Sequence, residues 1–161
     1  MPLIHLTTFI AAPVERVFDL SRSVNLHKVS TANRHERIVD GVMSGLLREG
    51  DSVTWQARHL NKERRFTSQV TEMDRPFHFT EEMLKGDFKS FRHEHHFKGI
   101  DNGTILIDML HFETPYGIIG KLFNHFYLTQ YLQTLLQTRN QVIREYAESR
   151  KWISILPPAS A

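Results

Sequence analysis

The feature that most constrains this fold is a long amphipathic segment at the C-terminal end of the chain. It follows a stretch in which apolar and polar residues alternate, as they do in strands with one buried face. From Tyr116 onward the apolar residues recur at three- and four-residue steps: Ile119, Leu122, Phe123, Phe126, Leu132, Leu135, Leu136, Val142, Ile143 and Tyr146. This spacing predicts a helix of about thirty residues, roughly 45 Å long, with one buried stripe. No strand is as long, so the helix must lie across a sheet, and we expect the functional site between the two.

Seven strands and two short helices are predicted before this helix. The first strand covers 2–10, a short helix begins at Pro13, and a second short helix or turn covers 24–29. The other strands are expected at 36–43, at 52–59, around Phe66 to Val70, at 77–83, at 91–98 and at 105–112.

Length and composition bound the class of protein. With 161 residues the chain has the size of one domain, which we assign to 1–149, leaving 150–161 as a C-terminal tail. The absence of cysteine excludes disulfides and thiolate catalysis. There is no apolar run of about twenty residues, and we therefore expect no membrane span. A net charge of +2 does not favour a nucleic-acid partner. The N-terminal residues lack the features of a signal peptide, which favours a cytoplasmic location. No cofactor motif is present, so no cofactor is expected.

Two turns decide which side chains share the inner face of the sheet. Asp101-Asn102-Gly103 is a strong hairpin signal, and an even-length loop there places His95 opposite Asp108 on the side facing the helix. A three-residue loop at Lys85-Gly86-Asp87 would place Glu81 opposite Phe91, also inside.

The predicted inner face is mostly aromatic and aliphatic, with a few titratable side chains. A mostly apolar pocket with a few convergent polar groups is typical of a small-molecule site. An alternative is that the aromatic residues simply fill a packed core. The candidate ligand-binding residues are Trp55, His59, Phe66, Phe79, Glu81, Phe91, His93, His95, Asp108, Leu110, Phe112, Phe123 and Tyr127.

The same polar residues are the candidates for catalysis. Asp108 would hold the His95 imidazole in one tautomer and make it a general base, with Glu81 or His93 as the acid. Between apolar neighbours, Glu81 would lose solvent and its pKa would rise. The structural alternatives are a His95–Asp108 pair that only stabilises the hairpin and a Glu81 that reaches water at a strand end.

Metal binding is not favoured by the histidine spacing. His93 and His95 share a face, His96 points away, and the run lacks the i, i+4 helical spacing of zinc peptidases. The prediction is therefore no metal site. A site made by His93, His95 and either His59 or Asp108 is the alternative.

Several motifs together resemble one known superfamily. They are Ala12-Pro13-Val14-Glu15-Arg16-Val17-Phe18, the run from Phe91 to Phe97, Gly103-Thr104 with Asp108, and the run from Pro115 to Gly120. In their order and over roughly residues 2–149, they resemble the SRPBCC superfamily, which includes START lipid-binding domains, birch-pollen-allergen-like proteins and polyketide cyclases. The resemblance implies an α+β helix-grip fold: a curved antiparallel sheet of seven strands, two short helices and one long C-terminal helix around a hydrophobic cavity.

The function we predict is binding of a small hydrophobic molecule, such as a lipid, a polyketide or an aromatic metabolite, by a carrier or sensor. One alternative is a cyclase, dehydratase or hydrolase that uses the His95–Asp108 pair. Another is an interaction module, or a homodimer, that uses the outward apolar face of Ile105, Ile107 and Met109 or the tail around Trp152.

Overall fold

A computed structural model describes residues 3–59, 61–115 and 124–158, apart from the side chains of His59, Asn124 and His125. The strands are β1 Leu3–Ile10, β2 Arg37–Gly41, β3 Ser52–His59, β4 Lys62–Asp74, β5 His78–Lys85, β6 Ser90–Ile100 and β7 Gly103–Glu113. The helices are α1 Val14–Ser21, α2 Val24–Ser30 and α3 Thr129–Glu148. A π-helical turn at Asn124–Leu128 leads into α3, and 3-10 turns lie at Ala32–Arg34 and Lys151–Ser154.

The seven strands form one antiparallel sheet in the order β1-β7-β6-β5-β4-β3-β2. Strands β2 to β7 are a meander, and β1 closes the order beside β7. The helix α3 packs against β1 and against both short helices. The predicted α+β helix-grip architecture is confirmed.

The two short helices close one part of the core. Pro13 precedes α1 with the φ of −60° that its ring favours, and the Ser23 hydroxyl caps α2 by accepting from Leu26 N at 3.1 Å. The ring of Phe18 on α1 lies edge-on to Phe79 at 5.4 Å and to Phe97 at 5.0 Å. These rings join α1 to the inner face of β5 and β6.

The β6–β7 hairpin has the predicted register. Gly103 pairs with Ile100, and His95 lies opposite Asp108. A Cβ on Gly103 would collide with the backbone carbonyl oxygen of Ile10, so glycine lets β1 approach the start of β7. The hairpin therefore fixes both the pair of site residues and the neighbouring strand.

The predicted register between β5 and β6 is wrong by two residues. Glu81 pairs with His93, not with Phe91, and Glu82 pairs with Arg92. The connection between Lys85 and Ser90 is longer than three residues. Within it Phe88 packs inward, with its ring centroid 5.1 Å from that of Phe91 and 6.0 Å from that of Phe112. The shift moves Glu81 beside the histidines.

The buried stripe of the long helix is confirmed over its described part. Leu132, Leu136, Ile143 and Ala147 are buried, whereas Phe126 in the preceding turn is exposed, contrary to its place in the predicted stripe. The predictions for 116–123 lie outside the described residues.

The described part of the tail packs on the same core. Trp152, Ile155 and Leu156 contact it, and the Arg16 guanidinium lies 4.3 Å from the Trp152 ring centre. None of the described helices is long and apolar enough to cross a membrane.

Candidate functional site

A cavity of about 400 Å³ lies between the inner face of the sheet and the helices. Strands β3 to β7 supply one wall, and α3 supplies a row of leucines on the other. The apolar lining residues are Val24, Leu47, Val53, Trp55, Ala57, Phe66, Phe88, Phe91, Leu110, Leu128, Leu132, Leu135 and Leu136.

Six of the predicted ligand-binding residues line this cavity. They are Trp55, Phe66, Glu81, Phe91, His93 and Leu110.

The structure places other candidates elsewhere. Phe79, His95, Asp108 and Phe112 have no exposed surface and lie behind the lining rather than on it. Their inward positions were predicted correctly, but neighbouring side chains stand between them and the cavity. Tyr127 is 56% exposed and is not part of the lining, because the π-helical turn carries it outward. The side chain of His59 and all of Phe123 lie outside the described residues.

Four titratable side chains form one hydrogen-bonded network at the polar end of the cavity. Asp108 Oδ1 lies 2.9 Å from His93 Nε2 and 2.9 Å from His95 Nδ1. The other nitrogen of His95, Nε2, lies 3.0 Å from Glu81 Oε2. Phe79 stacks on the His95 ring with centroids 4.2 Å apart. The network is thus shielded from water on the side of the core.

The helix α3 completes this network from the opposite side. Asn140 donates through Nδ2 to Asp108 Oδ2 at 2.6 Å and to Thr8 Oγ1 at 3.1 Å. Arg139 Nη1 lies 3.8 Å from Asp108 Oδ1, while its Nη2 donates to the carbonyl of Ser21 at 2.7 Å. The buried carboxylate of Asp108 therefore joins two strands to the long helix.

Both carboxyl groups are held ionised. Burial by itself would raise the pKa of Asp108, but the hydrogen bonds from His93 and His95 hold that pKa well below its usual range. Burial would likewise raise the pKa of Glu81, but the hydrogen bond and charge of His95 lower that pKa to about 2. The predicted rise in the pKa of Glu81 is therefore wrong, because it omitted this partner.

The two histidines differ in their surroundings. His95 lies between two carboxylates, with Nδ1 2.9 Å from Asp108 and Nε2 3.0 Å from Glu81. Burial and the neighbouring charge on His95 lower the pKa of His93 to about 4. His93 is therefore neutral at neutral pH, donates from Nε2 to Asp108 and keeps a lone pair on Nδ1.

Two acceptors face this end of the cavity, beside the Arg139 guanidinium, which also lines it. Glu81 and His93 line it, and among the described residues neither Glu81 Oε1 nor His93 Nδ1 has a hydrogen-bond partner. A bound molecule would meet an ionised carboxylate and a neutral imidazole at this end.

Several solved structures share the whole architecture. Protein TTHA0849 of Thermus thermophilus superimposes with a TM-score of 0.72 and 21% identity, over 91% of this chain and 97% of that one. Major latex-like protein 151 of Panax ginseng superimposes with a TM-score of 0.68 and 14% identity, over 92% of this chain and 98% of that one. A START superfamily protein of Mycobacterium smegmatis has a TM-score of 0.68 and 12% identity, over 91% of this chain and 97% of that one. The chain has the SRPBCC helix-grip fold. No family model and no curated protein matches it by sequence.

Within this helix-grip frame, sequence reasoning missed three contributors to the site. Arg139 and Asn140 lie on α3, and Asn140 interrupts the apolar spacing of Leu132, Leu136 and Ile143. A polar residue on a buried stripe is the signal that could have identified it. Phe88 was missed because the loop was predicted to end at Asp87, and no inward position was assigned to the residue after it.

Proposed function

We propose that this chain binds a small, mainly apolar molecule with a hydrogen-bond donor, such as a hydroxylated lipid, polyketide or aromatic metabolite, as a carrier or sensor. The observation that carries the proposal is the cavity of about 400 Å³, lined by aromatic and aliphatic residues and ending at Glu81 and His93. Its volume is in the range of small-molecule sites, about 300–1,000 Å³.

The charges at the polar end define the preferred ligand. Glu81 is ionised and His93 is neutral, so both accept hydrogen bonds. A hydroxyl or amine on the ligand would satisfy them, whereas a carboxylate would meet the charge of Glu81. The like charges would weaken binding, by an amount that the 23% exposure of the Glu81 side chain and the Arg139 guanidinium in the same lining reduce.

Binding is favoured over the catalytic alternative by the position of His95. Its side chain has no exposed surface, and both nitrogens are occupied by Asp108 and Glu81. A general base must lie within hydrogen-bond reach of its substrate. The residue assigned as base is therefore behind the wall of the cavity.

The test uses matched probes on the full chain. In isothermal titration calorimetry, 2-naphthol should bind at least about tenfold more tightly than 2-naphthoate, because only the hydroxyl suits the acceptors. Native mass spectrometry followed by denaturing extraction identifies any ligand that co-purifies. If no metabolite co-purifies and 2-naphthol does not bind, the proposal is refuted.

A matched pair of variants tests whether the cavity is the site. Leu110 and Ile107 lie on opposite faces of β7, and only Leu110 lines the cavity. Leu110→Trp should abolish binding of 2-naphthol by filling the space, and Ile107→Trp should leave it unchanged. If both variants lose the binding of 2-naphthol equally, the ligand does not bind in this cavity.

A further inference from the structure

We propose that Glu81, His93 and His95 form a binding site for one divalent transition-metal ion at the polar end of the cavity. One ligand atom of each residue, a ring nitrogen or a carboxylate oxygen, lies within 4.8 Å of the other two. Ligands bound at about 2.0–2.2 Å to one ion are themselves about 3–3.5 Å apart, so small side-chain shifts suffice.

The register of the sheet brings the third ligand to this site. Glu81 lies directly opposite His93, and His95 follows two residues later on the same face of β6. With Glu81 opposite Phe91, the two histidines would have lacked this carboxylate. The structure thus supplies a two-histidine, one-carboxylate set that the spacing of the histidines alone did not predict.

Asp108 orients both imidazoles as an outer carboxylate does in metal sites. Its Oδ1 accepts from His93 Nε2 and His95 Nδ1. The opposite nitrogen of His93 is then left for an ion, and that of His95 already faces another proposed ligand, Glu81 Oε2, at 3.0 Å. Asn140 fixes the other oxygen of Asp108 at 2.6 Å. Two histidines held by one buried carboxylate lose little side-chain freedom when they bind an ion.

The local charge also suits a divalent cation. Asp108 and Glu81 carry negative charge, and the Arg139 guanidinium lies 3.8 Å from Asp108 Oδ1. The ion would replace the hydrogen bond between His95 Nε2 and Glu81 Oε2. Because Glu81 and His93 line the cavity, the remaining coordination positions would face it.

Nitrogen and carboxylate ligands indicate the class of ion. Imidazole favours zinc, iron, nickel, copper and cobalt over magnesium and calcium, which prefer oxygen ligands throughout. The site does not depend on the cavity holding an organic ligand, and a failure to bind 2-naphthol would leave it standing.

Cobalt titration tests the site directly. The chelator-treated full chain is titrated with Co²⁺ and followed by visible ligand-field absorption, with Zn²⁺ as competitor. We expect one Co²⁺ per chain, displaced by Zn²⁺. Glu81→Gln should raise the dissociation constant more than about tenfold, as losses at metal ligands and their partners do.

Outward-facing histidines supply the matched control. His96 and His111 lie on β6 and β7 but on the opposite face of the sheet, beside Glu94 at 3.6 and 3.4 Å. The double variant His96→Gln/His111→Gln should bind Co²⁺ like the unaltered chain. If Glu81→Gln does not fold, as judged by circular dichroism, His93→Gln takes its place. Absence of ligand-field absorption in the unaltered chain, or its loss only in the control, would overturn the proposal.

Discussion

Replacing Asp108 with asparagine should destabilise the metal-free protein more than any other single-atom change in the network. The two oxygens of Asp108 accept from three side-chain donors: His93, His95 and Asn140. An amide has only one acceptor oxygen, so its NH₂ group must face at least one of these donors. The change also leaves Glu81 as the only carboxylate that is hydrogen-bonded to His95.

The magnitude follows from burial. Asp108 has no exposed surface, and breaking a buried ion pair by removing one partner costs about 3–5 kcal/mol. For a domain of this size, each kcal/mol lowers the midpoint of thermal unfolding by about 2–4 °C. We therefore expect the melting temperature to fall by about 6–20 °C.

The assay is urea unfolding in the presence of a chelator, followed by circular dichroism. Asp87→Asn is the matched control, since Asp87 is 57% exposed and pairs with Arg64 at 2.5 Å. An exposed pair of this kind contributes about 0–1 kcal/mol to the free energy of unfolding. The described charge network is refuted if Asp108→Asn changes the free energy of unfolding by less than about 1 kcal/mol and leaves the m value unchanged.

Three other outcomes are expected. The unfolded chain protonates His93 near pH 6.5 and the folded protein only near pH 4, so the free energy of unfolding should fall by roughly 3 kcal/mol as the pH falls between these values. His93→Gln should flatten that slope in chelator-treated samples, and an unchanged slope would contradict the assignment. Gly103→Ala should cost about 1–3 kcal/mol in urea unfolding because its methyl group collides with the Ile10 carbonyl; a neutral effect would count against that close approach. Trp152→Ala should cost about 1–2 kcal/mol by removing the contact with Arg16, and unchanged stability would mean that the tail does not dock in solution.

Local sequence signals predict the register of two strands where the turn between them has characteristic residues. Asp101-Asn102-Gly103 defines a hairpin by itself, so the pairing of His95 with Asp108 could be predicted and is confirmed. Alternation alone predicted that Trp55 and Phe66 both face inward, and the structure pairs them.

Contacts between distant segments could not be predicted in the same way. Phe88 in the β5–β6 loop packs against Phe66 and Phe112 on other strands, and no local pattern encodes those partners. The place of Asn140 beside Asp108 depends on where α3 crosses the sheet. The polar end of the cavity is made by such contacts, and its chemistry therefore emerged only from the structure.

The position of β1 at the edge of the sheet has a consequence for synthesis. Its partner is β7, and the Thr104 hydroxyl that donates to the Ala12 carbonyl lies 92 residues further along the chain. On the ribosome, β1 remains without its partner until β7 emerges, and such distant pairings form slowly. The helix α3 follows later still, so the cavity between sheet and helix forms only after Thr129–Glu148 has also emerged.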